Sequence, residues 1–246
     1  MRNRTTWWCG VAVLACVVLV PAGLSAQSRS RGVNWTGDDG PKETETVDRT
    51  VPFPANGTLR LKNFSGDVRI VAGNGRDVVI HARRRATRER LDHVKLDVET
   101  SGSTVTVNAN VPDRDWKEKN NNVVETTMEV EVPASARLDV DVFSSDVTIE
   151  GVTGEQHLKA FSGDLRVREP RSEISAETFS GDITLQVASN AKGSVSFHTF
   201  SGDLDSKLSV TSTSRRKRNI EGTLPGGAGP KMSFKTFSGD VAITSR

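Results

Sequence analysis

The stretch Phe161-Ser162-Gly163-Asp164-Leu165 recurs along this chain and determines its fold. The same pattern, Phe-Ser-Gly-Asp followed by an apolar residue, begins again at Phe64, Phe179, Phe200 and Phe237, and a Phe-Ser-Ser-Asp variant begins at Phe143. From the variant onward, successive copies start 18, 18, 21 and 37 residues apart. A short and nearly fixed period indicates an architecture of similar units stacked on one another.

Residues on both sides of each corner alternate between apolar and polar, as in 174–177 (Ile-Ser-Ala-Glu) and 183–185 (Ile-Thr-Leu). Strict alternation is typical of a half-buried β-strand, so each unit is predicted to be a strand, a Ser-Gly-Asp corner and a second strand. We expect the Gly to supply a backbone conformation that residues with a Cβ avoid, and the Asp to cap its own corner by accepting a backbone N–H bond. The corner residues are Ser65, Gly66, Asp67, Ser162, Gly163, Asp164, Ser180, Gly181, Asp182, Ser201, Gly202, Asp203, Ser238, Gly239 and Asp240.

The sequence predicts an all-β fold, a parallel β-solenoid (β-helix-like) with about 18 residues per coil. A single β-repeat domain is expected over 46–246. Its part 46–132 keeps the strand pattern without the period and is expected to be less regular. Regular coils follow over 133–246, with a loop insertion at 211–230. Because the chain closes on a repeat, we expect the last coil to need a cap from its own residues or from a partner.

The N-terminus has the pattern of a secretory signal peptide over 1–26, with basic Arg2 and Arg4, an apolar run over 10–20 and small residues before Ala26. The run is short for a bilayer span, so no transmembrane segment is expected after cleavage. A lipoprotein acylated at Cys16 and an uncleaved anchor are the alternatives. Residues 27–45 are polar and are expected to form a flexible lead-in. The chain is therefore predicted to be exported to the bacterial periplasm, the outer surface or the medium.

Composition excludes several classes of function. Both cysteines, Cys9 and Cys16, lie in the signal segment, so the mature chain has no thiol or disulfide chemistry. Removing Arg2 and Arg4 leaves 31 basic and 31 acidic residues, so no basic field favours nucleic-acid binding. The sequence contains no His-x-x-x-His, no Cys pair and no Gly-x-Ser-x-Gly. No catalytic residue, metal site or cofactor is predicted.

The corner aspartates would form a column of like charges if the units stack: Asp146, Asp164, Asp182, Asp203 and Asp240. Adjacent carboxylates repel unless hydrogen bonds or cations neutralise them. Capping of each corner by its own Asp is the ordinary interpretation. A calcium ladder and a carboxylate pair that cleaves polysaccharide are the alternatives, although one carboxylate per coil is sparse for either.

Two other features are candidates for binding. The phenylalanines that begin the corners, namely Phe143, Phe161, Phe179, Phe200 and Phe237 with Phe64, share the parity of the polar positions and would form an outward apolar stripe. The ordinary alternative is that the corner rotates each ring into the core. The run Arg215, Arg216, Lys217 and Arg218 is a candidate basic contact loop, or simply a solvated one.

The repeated corners, with the Gly-rich 220–229 stretch, resemble a bacterial family of exported β-strand-repeat proteins known as putative adhesins, largely a domain of unknown function. The resemblance covers about residues 45–246. It implies a parallel β-solenoid at the envelope or cell surface and brings no catalytic residues. We therefore predict a non-catalytic structural or interaction module, adhesin-like or a cell-envelope scaffold, that binds an envelope or surface protein, a glycan or a second copy of itself. The alternative is a β-helix enzyme that acts on polysaccharide.

Overall fold

The computed structural model describes residues 40–116, 123–216 and 218–246, which form two large and mostly parallel β-sheets. The first sheet contains, in hydrogen-bonded order, β1 (Lys42–Pro52), β4 (Asp77–Thr87), β7 (Glu125–Pro133), β3 (Val68–Gly73), β9 (Val147–Glu150), β11 (Leu165–Arg168), β13 (Ile183–Val187), β19 (Val241–Ser245) and β15 (Leu204–Ser206). The second contains β16 (Thr211–Arg216), β17 (Asn219–Thr223), β14 (Ser194–Ser201), β18 (Lys231–Ser238), β12 (Ile174–Ser180), β10 (Gln156–Ser162), β8 (Arg137–Ser144), β2 (Thr58–Ser65), β6 (Thr104–Pro112) and β5 (Val94–Ser101). The predicted all-β class is confirmed.

Each Ser-Gly-Asp corner carries the chain from the second sheet to the first, and we call the two strands that it joins a layer. The layers β8/β9, β10/β11 and β12/β13 follow one another in register, so that Leu158 pairs with Ala176 and Val167 with Leu185. These paired residues are separated by the 18 positions of the sequence period. Their apolar side chains point between the sheets and form one continuous core.

The order of the layers in space differs from their order in the chain. The last layer, β18/β19, lies between β12/β13 and β14/β15. The expectation that the last coil ends the stack and needs a cap is therefore wrong. The gap of 37 residues between Phe200 and Phe237 is the path by which the chain leaves the end of the stack and returns to its interior.

The predicted irregular part, 46–132, contributes two ordinary layers. Strands β2 and β3 pair in parallel with β8 and β9, and β6 and β7 pair in parallel with β2 and β3. The period is lost there because the antiparallel strands β4 and β5 and a short helix, α1 (Arg88–His93), are inserted between the layers. Regular stacking thus extends further towards the N-terminus than the repeat spacing indicates.

Antiparallel strands cover three of the four sheet edges. Strands β4 and β1 extend the first sheet at one end, and β5 covers the same end of the second sheet. At the other end, β16 and β17 form a hairpin on β14, so the predicted loop insertion 211–230 is in part a β-hairpin. The short β15 forms the remaining edge of the first sheet. Covered and short edges limit unwanted strand pairing.

The predicted signal peptide, 1–26, lies outside the described residues, as does most of the predicted lead-in, 27–45. Strand β1 begins at Lys42, inside that lead-in. Within the described part of the chain, no helix has the length and apolar content needed to cross a membrane.

Candidate functional site

The corner glycines are required by the close approach of neighbouring layers. A Cβ on Gly181 would lie 2.2 Å from the carbonyl oxygen of Gly163, and a Cβ on Gly163 would lie 2.0 Å from that of Ser145. Of the five corner glycines, Gly66 alone has a positive φ, at 98°. The expectation that glycine supplies an unusual backbone conformation is therefore right for Gly66 and wrong for the other four, where the backbone of the next layer leaves no room for a side chain.

The corner aspartates link one layer to the next instead of capping their own corners. In each case, the backbone N–H of one corner Asp donates to the carboxylate of the Asp in the neighbouring layer at 2.8–3.0 Å. In donor-to-acceptor order the bonds are Asp164 to Asp146, Asp182 to Asp164, Asp240 to Asp182 and Asp203 to Asp240. At one end, Arg166 donates to Asp146 at 3.1 Å and to Asp164 at 2.6 Å. These donors offset the repulsion expected in a column of carboxylates.

The degraded corner is stabilised by a different side chain. Ser145, which replaces the Gly, is buried, and its hydroxyl accepts a 3.2 Å bond from the Asn63 amide of the neighbouring layer. The same amide donates to the carbonyl oxygens of Gly66 and Thr126, each at 2.9 Å. Asn63 therefore satisfies the backbone where the stack changes from the regular layers to the N-terminal ones.

The six corner phenylalanines form a continuous stack on the outer face of the second sheet, which we call the phenylalanine stripe. Their centroids are 4.6–4.9 Å apart and their planes lie within 2–14° of parallel. In layer order the stripe runs Phe64, Phe143, Phe161, Phe179, Phe237 and Phe200. The rings are 39–53% exposed, so the alternative in which the corner rotates them into the core is wrong. Strand alternation persists through the Phe and ends there, since the Ser that follows is exposed or half-buried instead of buried.

The ring spacing matches the separation of neighbouring strands in a sheet, about 4.8 Å. Each ring therefore stacks on the next without distorting the backbone. Rings that lay side by side in one plane would need a larger separation than this. The nearly parallel rings are therefore stacked face to face, and their edges face solvent. The stripe presents an apolar surface made of ring edges.

A column of charged and polar side chains runs beside the stripe, two residues before each Phe, and we call it the charged column. In layer order its members are Lys62, Asp141, Lys159, Glu177, Lys235 and His198. Together the stripe and this column line a groove of about 830 Å³. Lys235 and Glu177 form an ion pair across adjacent strands at 2.8 Å. The first four charges alternate in chain order as well, and the order of the layers extends the alternation by placing Lys235 beside Glu177 and His198 at the end.

The predicted basic loop contributes one described side chain to the stripe. The guanidinium carbon of Arg218 lies 4.5 Å from the centroid of the Phe200 ring, so this cation covers the face of the last ring. Arg215 and Arg216 belong to strand β16, and Lys217 lies outside the described residues. The structure thus brings Arg218 to the end of the phenylalanine stripe.

The remaining candidates for chemistry stay dispersed over the part of the chain that the structure describes. There, no group of three or more His, Cys, Asp or Glu could hold a metal ion. His81 is exposed and lies 2.7 Å from an Asp48 oxygen, and His93 stacks on Trp116 at 4.5 Å between ring centroids. Each of these imidazoles has a nearby structural partner.

Comparison with known proteins supports the family and the fold. The family described as Toastrack DUF4097 matches residues 41–244. A crystal structure of a "putative cell adhesion protein" from Clostridium sporogenes superposes with a TM-score of 0.60 at 9% identity, over 83% of this chain and all of that one. A "putative adhesin" from Bacteroides fragilis has a TM-score of 0.28 at 10% identity, over 82% of this chain and 97% of that one. A "putative lipid binding protein" from Parabacteroides distasonis has a TM-score of 0.25 at 9% identity, over 84% of this chain and 98% of that one. No curated protein matches the sequence.

Proposed function

The chain belongs to the Toastrack DUF4097 family, and we propose that it is a non-catalytic, exported interaction module whose binding surface is the phenylalanine stripe. The family is the one that the repeated corners predict. The proposed partners are a protein of the bacterial envelope or surface, a glycan there, or a second copy of this chain, so that the module acts in an adhesin-like or scaffolding role.

One observation carries this proposal. Six exposed phenylalanines are aligned on one face, and they are the large apolar side chains that the described residues leave exposed. An aromatic side chain can bury about 150–250 Å², so the exposed parts of six rings offer on the order of 500 Å² of apolar surface. A patch of this size is at the upper end for a monomer, and such patches mark interaction sites.

The polar corners support a non-catalytic role. Their carboxylates accept backbone N–H bonds from the neighbouring layer, and Arg166 pairs with two of them. A general acid or a nucleophile needs a carboxyl group that is directed at a substrate. Because these carboxylates already accept hydrogen bonds from the neighbouring layer, a structural role is favoured for them.

The proposal includes a β-solenoid whose coil is about 18 residues wherever the chain passes directly from one layer to the next. The 18-residue offset between β8, β10 and β12 supports it. The insertion of β18/β19 between earlier layers departs from a simple solenoid, because the chain passes one position and later fills it.

The stripe is tested by retention of the purified chain on isolated bacterial envelopes. The double variant Phe161→Thr/Phe179→Thr removes two central rings and keeps β-branched residues at strand positions. We expect it to lose most of the retention of the unmodified chain. Arg168→Ser, an exposed position of the first sheet, is the matched control and should keep it. Equal retention of both variants would falsify the proposed binding surface.

Treating the envelopes before the binding step distinguishes the two partner classes. Protease treatment removes a protein partner, whereas periodate oxidation destroys the diols of a glycan. Loss of retention after only one treatment identifies the class of partner.

Export is tested by protease shaving of intact cells that express the full chain, with permeabilised cells as the reference. Cleavage in intact cells supports a surface role, and cleavage only after permeabilisation supports a periplasmic scaffold. If the chain resists the protease in intact cells and is recovered from the cytoplasmic fraction, the result argues against export.

A further inference from the structure

The orientation of the rings favours an apolar protein surface over a glycan in the phenylalanine stripe. Sugars stack on the open face of an aromatic ring, but here the faces between neighbouring rings are covered. The outer face of Phe200, at one end, is covered by Arg218. What remains is a stripe of ring edges about 24 Å long, given five spacings of 4.6–4.9 Å. A straight stripe of this kind fits another straight apolar stripe.

The charged column indicates which stripe that is. In layer order its charges run plus, minus, plus, minus, plus, and the column ends on His198. When the direction of this series is reversed, opposite charges meet at its four inner positions, and Lys62 meets His198 at the ends. Like charges at equal positions, by contrast, would face one another if two copies ran in the same direction.

A two-fold axis that lies in the interface parallel to the strands produces this reversal. It sets stripe against stripe and column against column, and it passes between β10 and β12. Asp141 then faces Lys235 of the second copy, Lys159 faces its Glu177, and Lys62 faces its His198. Because the axis is two-fold, each of these pairs occurs twice.

The next column of outward residues, four before each Phe, is compatible with the same arrangement. Its members in layer order are Arg60, Asp139, His157, Ser175, Ser233 and Ser196. Reversal sets each of the first three side chains against a serine of the second copy. No like charges meet in this column.

We propose that the phenylalanine stripe is the centre of an isologous dimer of this chain. In this dimer the stripes of the two copies run in opposite directions. The inference rests on the proposed function, since it names the partner of the same surface. The rings supply on the order of 500 Å² per copy, and a standard interface buries about 800 Å² per partner. The flanking charged and polar columns supply the rest, as an apolar centre with a polar rim.

Charge exchange between Lys159 and Glu177 tests both the partner and the register. Glu177→Lys places two lysines against each other at both symmetric positions, and Lys159→Glu places two glutamates there. Each variant alone should dimerise about ten-fold more weakly than the unmodified chain, which corresponds to about 1.4 kcal/mol spread over two exposed pairs. Sedimentation velocity over a concentration series measures the dissociation constants.

Mixing the two variants is the decisive step. In a mixed dimer, Lys159 of one copy faces Glu177 of the other, and the introduced lysine faces the introduced glutamate, so attraction is restored at both positions. We expect dimers in the mixture at concentrations where each variant alone is monomeric. Glu177→Lys also removes the ion pair between Glu177 and Lys235 within one copy. Recovery of dimers in the mixture shows that both variants are folded, so loss of that ion pair does not explain the weaker dimerisation of the single variant.

The dimer is wrong if the unmodified chain remains monomeric at about 100 μM, which is far above a micromolar dissociation constant. It is also wrong if the mixture of the two variants dimerises no better than either variant alone. If the chain is monomeric while Phe161→Thr/Phe179→Thr still reduces retention on envelopes, the dimer is wrong and the proposed function stands. If that double variant dimerises as tightly as the unmodified chain, the stripe is not the interface.

Discussion

At the scale of single residues, the Ser-Gly-Asp corner is a device for bringing backbones together. The Gly removes the Cβ that would collide with the next layer, and the Asp then reaches that layer to bond its N–H. The two requirements occur together because the carboxylate can bridge layers only where no side chain separates them. The repetition of this corner therefore reflects packing between layers more than the shape of each turn.

Gly181→Ala is expected to destabilise the fold by about 1–3 kcal/mol, because the new Cβ would lie 2.2 Å from the Gly163 carbonyl oxygen and force the layers apart. Urea unfolding followed by circular dichroism measures the change. Gly75→Ala is the matched control, since its Cβ would meet its nearest atom at 3.8 Å. Equal stability of the two variants would show that layer spacing at the corner does not restrict side-chain size.

At the scale of elements, the alternating pattern builds strands, and the pairing of strands explains an unexpected buried charge. Arg84 lies on β4 with its side chain inside the structure, paired with Glu45 of β1 and donating to the carbonyl oxygen of Val94. Burial lowers the pKa of the Arg84 guanidinium, and the Glu45 carboxylate opposes that change. The ion pair joins the edge strand β1 to the rest of the first sheet.

Glu45→Ala is expected to cost about 3 kcal/mol of stability, because it leaves a buried guanidinium without its carboxylate. Thermal and urea unfolding provide the measurement. The double variant Glu45→Leu/Arg84→Met removes both charges and should recover most of the loss. If the double variant is as unstable as Glu45→Ala, the loss comes from packing of β1 and not from the unpaired charge.

At the scale of the whole molecule, the order of layers is the main departure from a simple repeat. Strand β19 is near the C-terminus, yet it is hydrogen-bonded on both sides, to β13 and to β15. Its Val241 and Ile243 are fully buried. The C-terminal repeat therefore acts as an interior layer that joins β14/β15 to the rest of the stack.

Amide hydrogen exchange tests this order directly. The N–H groups of β19 should exchange about as slowly as those of β13 and more slowly than those of β15, which forms the edge of the first sheet. Terminal segments ordinarily exchange fast because they fray. Fast exchange of β19 together with protected β15 amides would contradict the insertion and restore an order that follows the chain.

The amino-acid sequence alone was enough to predict the class of the fold and the position of each corner, and it left open whether the phenylalanines point outward or into the core. These features depend on a local period of two residues and on a corner motif, both of which are read along the chain. The short helix α1 was not predicted, and its Leu91 packs in the small buried cluster that also contains Trp116.

Which layer lies beside which is settled only in the folded protein. All layers offer nearly the same apolar pattern in the same register, so local sequence does not distinguish one neighbour from another. Closing a longer loop costs little more than closing a short one, since the entropic cost grows only with the logarithm of length. The last repeat can therefore enter the interior of the stack. The same order sets the sequence of charges beside the phenylalanine stripe, which is why its self-complementarity belongs to the folded protein and not to the chain.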